Sequence, residues 1–154
     1  MVAELDHDPG PGTVHWQDSW DGYPVARDRL LDGLARRRNP VVITGDWHST
    51  FVNDVKRSYD DPTAPTVATE IITPAVTSNG DGDVYGPYYG PMIGWNPHIR
   101  FFDGDRKGYV RCRLDHDQMT ADVRYVERVG APEAEITTAA TFVVEDGRPG
   151  AIPV

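Results

Sequence analysis

Asp46 and His48, flanking Trp47 in the stretch Gly45-Asp46-Trp47-His48, are the side chains of this sequence best placed by type and spacing to do chemistry. A carboxylate and an imidazole set this close on a loop can turn toward one divalent or trivalent cation, because such ions take oxygen and nitrogen donors. The same spacing equally suits an Asp that serves a turn and a His hydrogen-bonded nearby, so the preceding element decides how the pair is read. That element is Val41-Val42-Ile43-Thr44, a short β-branched run expected to form a central strand buried on both faces. Loops at the C-terminal ends of such strands are where α/β folds gather ligands.

Other groups that could do chemistry carry less. Asp81 and Asp83 alternate with glycines as in a calcium loop, but no Glu stands at the spacing an EF-hand needs, so no calcium site is expected there. Tyr85, Tyr88, Tyr89 and Trp95, in a Gly- and Pro-rich stretch, either wall a substrate pocket or simply cover a sheet. Cys112 shares the apolar face of its segment with Val110 and Leu114, which makes it a small buried side chain rather than a nucleophile. There is no Gly-x-Ser-x-Gly elbow and no Walker-type loop.

The elements that must position Asp46 and His48 follow from periodicity. Tyr23, Ala26, Leu30 and Leu34, with Leu31 beside them, predict one amphipathic helix over Val25 to Arg38. Asp21 is its expected N-cap, Pro24 lies in its first turn, and Arg36, Arg37 and Arg38 complement the dipole at its end. Asn39-Pro40 stops it. A second strand is expected over Thr66 to Ile72, then a long loop from Thr77 to Pro91. From Ile99 onward apolar residues alternate with polar ones, which predicts an antiparallel meander with turns at Gly104 to Lys107 and Asp115 to Asp117 and a last strand near Thr137 to Val144. The reading is one α+β domain over residues 1–154: irregular over 1–20, helix, strand and site loops over 21–95, and an antiparallel sheet over 96–147.

Composition narrows the partners. Fifteen Lys and Arg against 24 Asp and Glu give a formal charge of -9, a field that repels phosphate backbones and anionic membrane surfaces, so nucleic acid and membrane are not expected partners. An acidic protein acts on phosphate esters only where bound cations reverse the local field. The single cysteine rules out an intramolecular disulfide. No stretch reaches the roughly 18 apolar residues of a membrane span, and Met1 to Gly12 is acidic and Pro/Gly-rich, so neither a signal peptide nor an anchor is expected within these residues.

The stretch Asn39-Pro-Val-Val-Ile-Thr-Gly-Asp-Trp-His-Ser49 resembles the last metal-binding motif of the PhoD-like alkaline phosphatases, within the calcineurin-like metallophosphoesterase superfamily. Trp20 to Leu31 is similar to the helix before that motif; Val67 to Glu70, Asn96 to Ile99, Arg106 to Cys112 and Phe142 to Gly150 match later features in order. The resemblance is to the C-terminal part of such an enzyme. It implies a portion of a metallophosphoesterase-type α/β sandwich, with Asp46 and His48 as metal ligands at a binuclear catalytic centre of iron and/or calcium acting on a phosphate ester. It further implies Trp47, His98 and Tyr88 near the substrate pocket, Trp47 replacing a smaller or basic residue at the pocket mouth, and His98 equally readable as a structural histidine at a strand edge. The family's remaining ligands lie upstream of the matched region, so three states are open: a phosphoesterase part, a non-catalytic remnant, or a fragment completed by an upstream polypeptide. The last predicts an exposed apolar surface at Val41 to Thr44. The resemblance also implies an extracellular or periplasmic location.

Overall fold

The computed structural model describes residues 1–82 and 84–154. Asp83, half of the acidic pair that alternates with glycines, lies outside the described residues. The chain folds as α+β, with short helices and two four-stranded sheets.

Helix α1 (Pro24–Leu34) buries Leu31 and packs Leu30 and Leu34 against the core, the face that the apolar spacing predicts. Its ends differ from expectation. Asp21 is not the N-cap: it sits in a 3-10 turn over Trp20–Gly22, itself capped by Ser19, and its buried carboxylate pairs with Arg27 and accepts from the Leu5 backbone N–H at 3.2 Å. The helix stops at Leu34, so the arginine run lies past its end, where Arg38 pairs with Asp146 in the turn that follows Glu145.

The first sheet has the order β1 (Val41–Thr44), β3 (Thr66–Ile72), β2 (Thr50–Lys56), β4 (Ile99–Asp103); β1 runs parallel to β3, and the other pairs are antiparallel. Two expectations are corrected here. β1 is an edge strand, with none of its residues buried and Ile43 57% exposed, because only β3 flanks it. β4 belongs to this sheet rather than to the meander, since its partner is β2. The second sheet is the meander β5 (Gly108–Leu114), β6 (Gln118–Val126), β7 (Ile136–Glu145), closed by the short β8 (Ile152–Pro153).

Alternation along β2 and β3 divides the core. Phe51, Val55, Ala68 and Ile72 face α1 and an N-terminal segment that has no regular structure yet buries Met1, Val2, Ala3 and Leu5. Val52 and Ile71 face the other way, against Met119, Ala121, Val123, Tyr125, Phe142 and Val144 of the second sheet. The irregular N-terminal segment is held by Glu70, fully buried, whose carboxylate accepts from the N–H of Val2 (2.6 Å) and Ala3 (3.1 Å) and from Asn53 Nδ2 (2.9 Å). A buried carboxylate with three donors is satisfied without a counter-ion. None of the described helices is long and apolar enough to cross a membrane.

Candidate metal centre

The register explains where the Asp46 loop lies. Ile72, the last residue of β3, is opposite both Thr44 of β1 and Phe51 of β2, so the chain between them must arc over the C-terminal end of β3. Within that arc Asp46 and His48 both hold left-handed backbone, at φ 72 and φ 54. Side chains other than glycine pay on the order of 1 kcal/mol for this conformation, and such outliers concentrate at functional sites. Just past the arc, Ser49 and Thr50 are fully buried, and Thr50 Oγ1 accepts from the Tyr125 hydroxyl of β6 at 2.9 Å, which pins the loop to the second sheet.

Two cavities meet at Asp46. One, of about 450 Å³, is lined by Asp18, Ser19, Trp20, Tyr23, Asp46 and Trp47 among others; the second, of about 300 Å³, by Trp16, Asp18, Asp46, Trp47, Tyr85 and Tyr89. Asp18 and Asp46 are the charged side chains lining them. Two carboxylates repel a phosphate ester until a cation sits between them and it. Among the described residues, no hydrogen bond engages the Asp46 carboxylate, and the polar contacts of the His48 ring, with Asn79 and Tyr85, lie at Nδ1. An exposed carboxylate and an imidazole whose contacts lie on one nitrogen are the donor chemistry a hard or borderline cation takes, so this loop fits one corner of a metal centre. Two or three such donors fall short of what two ions require.

The aromatic residues divide between the two roles open for them. Tyr85 and Tyr89 line the second cavity; Tyr89 packs on Trp47 (5.4 Å between centroids), which in turn packs on Phe51 (6.0 Å). Burial, with Tyr88 and Tyr85 close by, pushes the Tyr89 hydroxyl up to about 12, so it stays protonated. Tyr88 lines neither cavity; it is half exposed and packs edge-on against Tyr89 and His7. Trp95 is structural, donating from Nε1 to the Asp6 carbonyl at 2.9 Å. His98 is not brought to the loop. It is buried against Tyr59, with centroids 4.3 Å apart, and donates from Nε2 to the Glu4 carbonyl at 2.6 Å.

Asp18, which lines both cavities, is a residue that the sequence analysis does not single out; its one signal is an acid set between Trp16 and Trp20 in a stretch without period. A second cluster, Glu4, His15 and Asp21, also brings ligand atoms within 4.8 Å of one another. Arg27 already supplies its cation, pairing with Asp21 and, at 3.4 Å, with Glu4, so the cluster ties the N-terminal segment to α1.

The family model of the PhoD-like phosphatases matches residues 1–123, and the chain belongs to this family. Alkaline phosphatase D of Bacillus subtilis (strain 168) is 33% identical over 152 residues, which cover 97% of this chain and 26% of that protein. A solved structure titled "Structure of PhoD" superposes with a TM-score of 0.87 at 30% identity, covering 100% of this chain and 30% of that one. The chain thus spans between a quarter and a third of the length of these relatives.

Proposed function

We propose that this chain is part of a metal-dependent phosphoesterase, an alkaline phosphatase or phosphodiesterase, and supplies one edge of its binuclear centre from Asp46 and His48. The observation that carries the reading is the Asp46-Trp47-His48 arc, left-handed at Asp46 and His48, with the Asp46 carboxylate lining both cavities beside Asp18, in a member of the PhoD-like family. Bound metal ions, iron and/or calcium, would supply charge neutralisation at the ester oxygens and a lowered pKa for the attacking water. The residues here do the rest: Asp46 and His48 hold their edge of the centre, Trp47 and Tyr89 form an apolar wall that limits water, and the anchored Ser49 and Thr50 keep the arc in place. Tyr88 and His98 have no part in this reading.

The remaining ligands come, in this proposal, from a further stretch of polypeptide that completes a metallophosphoesterase-type sandwich. The free edge of β1 supports this. Ile43 is exposed there, and Val41 and Ile43 share a cavity of about 370 Å³ with Leu114, Met119 and Val144. An apolar edge strand beside an apolar recess is a site for strand addition. Export from the cytoplasm belongs to the same reading.

Metal content by mass spectrometry tests the proposal, combined with turnover of p-nitrophenyl phosphate and bis-p-nitrophenyl phosphate, for wild type, Asp46→Ala and His48→Ala. The expected result is metal binding lost in both variants, with turnover appearing only when the rest of the phosphatase polypeptide is supplied and vanishing again in either variant. Metal retained undiminished by both variants would refute the site.

A further inference from the structure

Tyr85 and Asn79 belong to the loop between β3 and β4, and both converge on the back of the His48 ring. The Tyr85 hydroxyl lies 3.3 Å from His48 Nδ1, Asn79 Nδ2 donates to that hydroxyl at 3.1 Å, and Asn79 Nδ2 is itself 3.5 Å from His48 Nδ1. We infer that Tyr85, oriented by Asn79, is the positioning residue of His48: its hydroxyl oxygen accepts a hydrogen bond from Nδ1–H, which fixes the ring and leaves Nε2 as the nitrogen free to ligate. The inference rests on the metal reading above for its purpose but not for its geometry.

A neutral imidazole carries its proton on one nitrogen, and the hydrogen bond made by that nitrogen determines which. A phenol oxygen can accept two hydrogen bonds while donating one, so Tyr85 can take one from the Asn79 amide and one from His48 Nδ1. A ligating histidine held through its other nitrogen by such a partner is the usual outer-shell arrangement of metal sites.

The support beneath Tyr85 is rigid, as a positioning role requires. Its ring stacks on Tyr89, with centroids 6.0 Å apart and planes at 19°, and meets the His48 ring edge-on at 5.7 Å. Its backbone lies against Gly104 in the turn after β4, where a Cβ would come within 2.6 Å of the Tyr85 carbonyl carbon and 2.4 Å of Gly86 N. Only glycine at 104 allows that approach, so the hydroxyl is placed by packed backbone and not by a free loop. Asn79 holds a left-handed turn at φ 67, a conformation that asparagine tolerates better than most residues.

The test is the imidazole ¹⁵N NMR spectrum of the metal-free chain, together with calorimetric titration of Zn²⁺ alone, for wild type, Tyr85→Phe and Asn79→Ala, with Tyr109→Phe as a control on the distant second sheet. Wild type should show His48 protonated on Nδ1. Tyr85→Phe, which keeps the ring, should move the proton to Nε2 and weaken Zn²⁺ binding by about 10-fold or more, and Asn79→Ala should do so to a lesser degree; Tyr109→Phe should change neither. A wild-type His48 protonated on Nε2, or a tautomer unmoved in Tyr85→Phe, overturns the inference. Wild type that binds no Zn²⁺ while the tautomer shifts as described would count against the metal centre and leave the positioning of His48 by Tyr85 supported.

Discussion

Acidification should destabilise this protein through His98, and the size of the effect can be worked from its surroundings. The ring is only 5% exposed, donates to the Glu4 carbonyl and lies against Tyr59. Burial lowers its pKa from 6.5 to about 4, overcoming the carbonyl, which favours the protonated ring. Because the folded value lies below the unfolded one, the unfolded chain takes the proton first. Stability is therefore complete above about pH 6.5 and drains away as the pH falls toward 4. The gap is worth about 3 kcal/mol at the lower end. Glu4 and Asp54 act in the opposite sense, since burial raises both carboxyls and their protonation favours the fold. The total acid response is thus smaller than the His98 contribution, and the clean quantity is the difference between wild type and His98→Gln, whose amide can still donate to Glu4. Urea unfolding at pH 7 and at pH 4 measures it. Wild type should lose about 3 kcal/mol relative to His98→Gln between the two. A difference that does not change with pH would refute a neutral buried His98.

Two further outcomes follow from polar and apolar extremes of the first sheet. Glu70→Ala strips the N–H groups of Val2 and Ala3 and the Asn53 amide of their acceptor; at about 1 to 3 kcal/mol for each buried donor left unpaired, the loss should be roughly 3 kcal/mol or more, with amide exchange quickened over residues 1–5. Ordinary exchange protection there in Glu70→Ala would mean that apolar packing alone holds the segment. Ile43→Lys on the exposed edge of β1 should change stability by less than about 0.5 kcal/mol while reducing self-association in sedimentation velocity, and association that persists unchanged would locate the adhesive surface elsewhere.

Much of the second sheet is legible in the sequence, because strands with one face on a core and one in water alternate cleanly, as Met119, Ala121 and Val123 do; in β5 Val110 and Cys112 follow the pattern half-buried, while Leu114, at the strand end, is exposed. β2 escapes the same reading because Asn53 and Asp54 interrupt its apolar run; each is buried with a partner, Glu70 and Arg100, that only the fold brings near. β1 is recognisable as a strand, but an apolar run says nothing about how many neighbours it has, so its edge position was hidden. The N-terminal segment shows no period, and its burial depends on an acceptor nearly 70 residues away, |i−j| = 68 for Val2 and Glu70. At the site, the spacing of Asp46 and His48 pointed to a shared loop. Asp18, Asn79 and Tyr85 reach that loop from separate stretches, and no local pattern ties them to it.

The hydrogen bond from Tyr125 to Thr50 bears on where this chain can be cut. The family match ends at residue 123, two positions short of that tyrosine and ahead of all of β7. A polypeptide trimmed to the matched region would keep Asp46 and His48 in its sequence, but Thr50 would have no donor from β6, and Val52 and Ile71 would lose Phe142 and Val144 from the core between the sheets. The packing that holds the Asp46 loop thus reaches to the far end of the second sheet, well beyond residue 123.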